Sequence, residues 1–146
     1  MISIPAAARS DYRLARAYLC RDPIERELFE RLDHSARHFH LRINHRDDDH
    51  FDPNDDVIAW DPYSALRTSE GGTQSPALGL GHEVAHAVEA PAREDRLTAH
   101  RLPQYDNAEE RRVIRGSERH AALTLGEAVR YDHRGSTYRV ATPVSR

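Results

Sequence analysis

A chain of 146 residues with 38% apolar residues and a net charge of −3 has length for one domain around a modest core, and it lacks the low-complexity bias of a disordered segment. Charged residues reach 31% and mean hydropathy is −0.79, yet Arg, Asp and Glu are interleaved, so no basic stripe follows a phosphate backbone and nucleic acid is excluded as a partner. Cys20 is the single cysteine, which rules out an internal disulfide and a thiolate-rich metal site.

No apolar run approaches the roughly twenty residues of a membrane span, and the N-terminus lacks the apolar core of a signal peptide. A soluble, monomeric protein without membrane insertion is expected. Any export would use machinery that needs no such segment.

In chain order, "DYRLARAYLC" places Tyr12, Leu14, Ala15, Tyr18 and Leu19 at helical spacing. "DPIERELFERLDHS" opens with Asp22 as a cap and Pro23 at the first helical position, followed by the stripe Ile24, Leu28, Phe29 and Leu32. "RHFHLRINH" alternates Phe39, Leu41 and Ile43 against polar residues, the period of a half-buried strand. His38 and His40 share the other face of that strand and read as exposed.

"DVIAWDP" gives a second strand ended by Pro62. The acidic run between the two strands fails the EF-hand template, because Asp52 stands where Gly is needed and Ile58 where Glu is needed. It reads as a solvated loop. "RTSEGGTQ" reads as a flexible link, Arg93 to Asp106 as irregular, and two helices are expected from about Asn107 and near Ser117. "STYRVATPV" supplies a last strand.

The informative stretch is "SPALGLGHEVAHAVEAP", residues 75–91. Ser75 as cap, Pro76 at the first position and Pro91 as a stop bound a helix of about four turns. A four-residue step puts His82 and His86 on one face, where both rings can bind one ion at about 2.0 to 2.1 Å. Glu83 is turned about 100° from His82, within reach of a water on that ion. This is the HExxH arrangement of zinc peptidases, so Zn2+ is the expected cofactor.

The neighbours of these three groups are uncharged, unlike an ordinary surface helix in so charged a chain. Gly79 and Gly81 each cost roughly 1 kcal/mol inside a helix, which implies that something approaches closely there. A hydrolytic zinc site takes a third protein ligand. Glu89 and Ala92 break the metzincin pattern, and "YDNAEERRVIRGSERH" offers Glu109, Glu110, Glu118 and His120 instead. Asn107 and Glu110 also read as a capping-box-like pair.

The order "WDP", "LGHEVAHAVEA", "NAEERRVIRGSE" and "LGEAVRYDHRG" resembles the NleD-like family of bacterial effector zinc metallopeptidases across roughly residues 24 to 138. The paired Glu segment is also similar to that of clostridial neurotoxin light chains. The resemblance implies Glu110 as third metal ligand beside His82 and His86, with Glu109 supporting the site. It implies Arg130 and Tyr131 as stabilisers of the tetrahedral intermediate, although their adjacency departs from the usual separation.

It further implies a single α+β, zincin-like domain over 1–146, with a short mixed sheet beside the metal-binding helix. The implied function is that of a toxin-like endopeptidase, delivered by a secretion system into a host or competitor cell, where it cleaves a target protein. Glu83 would act as general base, and the edge of the "DVIAW" strand could take an extended substrate. Two further readings share the motif: a metal-dependent hydrolase of a non-protein substrate, and a zinc-stapled binding module without catalysis.

Overall fold

The computed structural model describes residues 1–89 and 101–146. Its first half runs β1 (Ile2–Ser3), α1 (Arg9–Leu19), α2 (Pro23–His34), β2 (Phe39–Ile43), β3 (His50–Asp52), β4 (Val57–Trp60), β5 (Ser64–Thr68) and β6 (Thr73–Gln74). The long helix α3 (Pro76–Glu89) follows, then β7 (Arg101–Leu102), β8 (Asp106–Asn107), α4 (Ala108–Val113), a wide π turn (Ile114–Glu118), α5 (Arg119–Leu125) and β9 (Gly135–Arg139). The class is α+β, with a short mixed sheet packed beside α3.

That sheet has the order β1-β2-β4-β3, the first three strands parallel and β3 antiparallel to β4. A second, antiparallel sheet has the order β6-β5-β9, and β7 pairs with β8. Helix α3 is packed against α1, α2, β3, β4 and β5. An all-round neighbourhood of this kind explains why the residues around His82, Glu83 and His86 are apolar.

Local chemistry places the helices. Asp22 Oδ1 accepts from the N–H groups of Ile24 at 2.9 Å and Glu25 at 3.0 Å, and Pro23 occupies the position whose N–H would otherwise be unpaired. Leu28, Phe29 and Leu32 of α2 are buried with Tyr12, Ala15 and Leu19 of α1. Leu14 and Ile24, assigned to the same stripes by periodicity, stand 44% and 38% exposed, because they lie at the edges of the buried arcs. The entry to α3 is fixed by Trp60, whose indole N–H donates to the Pro76 carbonyl at 2.8 Å, and by Ser75, whose hydroxyl donates to Glu127 at 2.8 Å.

Several expectations are corrected. The acidic run contains β3, with Phe51 opposite Ile58 and its ring 6.2 Å from that of Phe39. On either side of β3, residues 46–48 and 54–55 are exposed loop as expected. The glycine-containing link is a hairpin of β5 and β6, turned at Gly71 in the left-handed region (φ 90). Strand β4 has no free edge, since β2 and β3 occupy both sides, so "DVIAW" cannot accept a further strand.

In the stretch from 93 to 106, residues 101–106 join the β7–β8 ribbon; its earlier part, like Pro91, lies outside the described residues. The second of the late helices, expected near Ser117, starts at Arg119, directly after the π turn. His38 and His40 are exposed, as expected, with their rings stacked 4.8 Å apart. No helix among the described residues is long and apolar enough to cross a membrane.

Candidate metal centre

Helix α3 carries His82 and His86 one turn apart, and their Nε2 atoms approach to 2.9 Å. The carboxylate of Glu110, in the first turn of α4, closes the group: Oε2 lies 2.9 Å from His82 Nε2 and Oε1 lies 3.3 Å from His86 Nε2. Asn107 sets that position by capping α4, its Oδ1 accepting from the Glu110 N–H at 2.9 Å. Both histidines are buried and Glu110 is 20% exposed. Among the described residues, this is the group whose donor atoms lie mutually within 4.8 Å, and it could hold a metal ion.

The opposite nitrogen of each ring is also held. His82 Nδ1 lies 2.6 Å from Glu118 Oε2, and His86 Nδ1 lies 3.0 Å from Glu109 Oε1. A carboxylate on Nδ1 keeps the proton there and turns the Nε2 lone pair inward. Two inward lone pairs and a carboxylate facing one point repel one another unless a proton or a metal cation lies between them. The donor set, the tautomers and the burial therefore fit a divalent ion.

Electrostatics tell the same story. Burial works against charge on His82, but hydrogen bonds to Glu110 and Glu118 outweigh it and push its pKa up to about 10. His86 is raised in the same way by Glu109 and Glu110. Burial also opposes charge on Glu110 and Glu118, yet His82 and His86 hold Glu110, and Arg130 with His82 holds Glu118, well below the usual carboxylate range. The carboxylates that favour a proton on these rings would attract a metal cation by the same charge.

The π turn explains how one bent segment supplies Glu109, Glu110 and Glu118. Gly116 adopts φ −99, ψ −109 inside it, breaking the regular helix and swinging Glu118 onto the far nitrogen of the same ring that Glu110 meets. Glu118 is 1% exposed and is gripped by Arg130, whose Nε and Nη2 donate at 2.6 and 2.8 Å, and by Gln74 Nε2 at 3.1 Å. Glu109 is braced by Arg112, which donates from Nε at 2.9 Å and Nη2 at 2.5 Å.

Glu83 is 6% exposed and lines a cleft of about 280 Å³ together with His82, Glu118, Arg130 and His133. Burial raises its pKa against the pull of His82 and His86. A carboxyl in such a place is suited to accept and return a proton.

The glycines of α3 do what their cost implied. A Cβ on Gly79 would stand 2.9 Å from Asp49 Oδ2, and one on Gly81 would stand 2.6 Å from Glu25 Oε2.

Of the residues read from the sequence, His82, His86, Glu110, Glu83 and Arg130 come together, with Glu109 behind His86. Tyr131 does not. It is 46% exposed, is absent from the cleft lining, and its ring lies 6.0 Å from the Arg119 guanidinium. Neighbouring side chains on a non-helical segment point apart, and burying Arg130 turns Tyr131 outward. Glu118, offered as a ligand, instead sits on Nδ1 of His82, and His120 pairs with Asp22 at 2.5 Å.

One further residue joins the site: His133 Nε2 lies 3.4 Å from Glu110 Oε2. No local spacing could have revealed it. Comparison with known proteins leaves the chain to its own geometry: no family model, curated protein or solved structure matches it.

Proposed function

We propose that the protein is a zinc-dependent endopeptidase that hydrolyses peptide bonds of a target protein. The observation that carries this reading is the placement of Glu83 in an open cleft beside three inward-facing donors, His82, His86 and Glu110, with both imidazole rings held from behind by carboxylates. Zinc fits two imidazoles and a carboxylate, and when bound there it supplies Lewis acidity toward water and a carbonyl.

The chain's own residues carry the rest. Glu83 accepts a proton from the attacking water, whose oxygen forms the new bond to the carbonyl carbon. The C–N bond then breaks, and Glu83 returns the proton to the departing amine. Arg130 places positive charge in the cleft and, through Glu118, sets the tautomer of His82. Three donors and an open cleft favour catalysis over a zinc staple, which four protein ligands would close. Delivery as a secreted effector or toxin into a host or competitor cell is proposed on the family resemblance alone.

The test uses the whole chain loaded with zinc and a pool of folded and unfolded proteins, with products read by mass spectrometry. One zinc per chain and new peptide termini are expected, lost in Glu83→Gln with the metal retained and lost in His82→Ala together with the metal. A Glu83→Gln protein of full activity sinks this mechanism. Metal binding with no cleavage across the pool favours a non-protein substrate.

A further inference from the structure

Arg112 lies outside the candidate ligand group, yet all three nitrogens of its guanidinium are committed. Nε and Nη2 donate to the two carboxylate oxygens of Glu109 at 2.9 and 2.5 Å, and Nη1 donates to Glu89 Oε2 at 2.5 Å. Glu109 Oε1 is shared, since it also lies 3.0 Å from His86 Nδ1. One flat group thus joins the first turn of α4 to the last turn of α3 and grips the carboxylate behind His86.

The same pattern stands behind the other ring. His82 Nδ1 meets Glu118, which is held by Nε and Nη2 of Arg130. Each imidazole of the group therefore has a carboxylate on Nδ1 and a two-pronged arginine on that carboxylate. The two arrangements differ in depth: Glu118 and Arg130 are withdrawn from solvent, whereas the side chains of Glu109 and Arg112 are 20% and 39% exposed.

Ion pairs this exposed contribute little to folding, so stability alone is a poor reason for a guanidinium to engage every nitrogen. Geometry is a better one. In the first turn of α4 a carboxylate reached by solvent can turn through several rotamers, and a fork from Arg112, three residues on, holds it in one. Held so, Glu109 keeps a proton on His86 Nδ1 and turns Nε2 toward His82 and Glu110. Glu89 in turn locks Arg112. Its other oxygen accepts from Arg31 of α2 at 2.9 Å, and Arg31 also donates to the Val88 carbonyl at 3.0 Å.

We propose that Arg112 is a positioning residue for the metal centre: it fixes the Glu109 carboxylate on His86 Nδ1 and so sets how His86 presents Nε2 to an ion, with Glu89 as its anchor on α3. The inference rests on the metal centre of the reading above and is independent of which bond is cleaved.

The experiment measures zinc affinity of the whole chain by competition with a chelator, alongside the melting temperature of the metal-free protein. Arg112→Ala should bind zinc about 10-fold more weakly, with melting within about 3 °C of wild type. Because the effect passes through Glu109, the same substitution should add nothing on a Glu109→Ala background. Arg112→Lys, which keeps the charge and loses the fork, should recover only part of the affinity. Arg31→Ala removes an ion pair of similar exposure from the same Glu89 but leaves Glu109 untouched, and should keep zinc affinity within about twofold. In the zinc-loaded protein the Nδ1 proton resonance of His86 should move upfield in Arg112→Ala while that of His82 stays in place.

Wild-type zinc affinity in Arg112→Ala overturns the proposal. So does a loss that adds in full to that of Glu109→Ala, or an equal loss in Arg31→Ala, since either shows a general staple between helices. Zinc binding without cleavage of any protein sinks the peptidase reading alone, because affinity still decides the role of Arg112. A chain that binds no zinc sinks both.

Discussion

Glu118 Oε2 meets Nδ1 of His82 at 2.6 Å, deep enough that the carboxylate is 1% exposed. Through this contact a residue outside the candidate ligand group bears on which nitrogen of His82 would face an ion. Glu118→Gln should therefore weaken zinc binding by about 10- to 100-fold in a chelator competition. It should also lower stability, because Arg130, with a side chain only 10% exposed, loses its charged partner. Unchanged zinc affinity would show that His82 holds its tautomer without help.

Glu25 is fully buried in α2, and neither carboxylate oxygen has a hydrogen-bond partner among the described residues. Burial raises its pKa from 4.5 to about 8, reinforced by Asp22 and Glu118. A raised carboxyl pKa means that the folded chain holds the proton more tightly than the unfolded chain. Its contribution is complete below about pH 4.5 and is lost as pH rises through about 8, by an amount on the order of a few kcal/mol. Urea titrations at pH 5 and pH 9 should show wild type weakening toward alkaline pH, with a flatter profile for Glu25→Gln. Equal slopes in the two proteins would contradict the burial of an ionisable Glu25.

Gly81 faces the same carboxylate. Gly81→Ala should gain helix propensity yet lose stability, since its Cβ would stand 2.6 Å from Glu25 Oε2. Placed on Glu25→Ala, the same substitution should turn neutral or stabilising, a coupling of about 1 to 2 kcal/mol. Additive melting shifts in the double variant would exclude the contact.

Tyr131 provides a contrast with Arg130. Tyr131→Phe should leave kcat within about twofold of wild type because the hydroxyl lies outside the cleft, whereas Arg130→Ala should lower both zinc affinity and turnover. A large loss in Tyr131→Phe would restore it to the site.

Elements with strong local grammar are legible in the sequence: the Asp22–Pro23 start of α2, the alternation of β2, and the HExxH turn of α3. Strands β1 and β6, at two residues each, and β3, at three, are too short to show a period and carry polar residues, so only their partners define them. The metal group divided along the same line. His82 and His86 are set by helix geometry. The place of Glu118 depends on a π turn that no pattern announces, and the place of His133 on a contact with Asp106, 27 residues earlier in the chain.

The meeting of α3 with the first turn of α4 has a consequence for the chain as a polymer. With one cysteine, this protein has no covalent cross-link of its own. An ion shared by His86 and Glu110 would fasten the backbone to itself across the span from residue 86 to residue 110, shrinking the freedom of the denatured chain much as a cystine would. Chelation would then act as reduction does on a secreted miniprotein: it would untie a knot as well as silence a reaction.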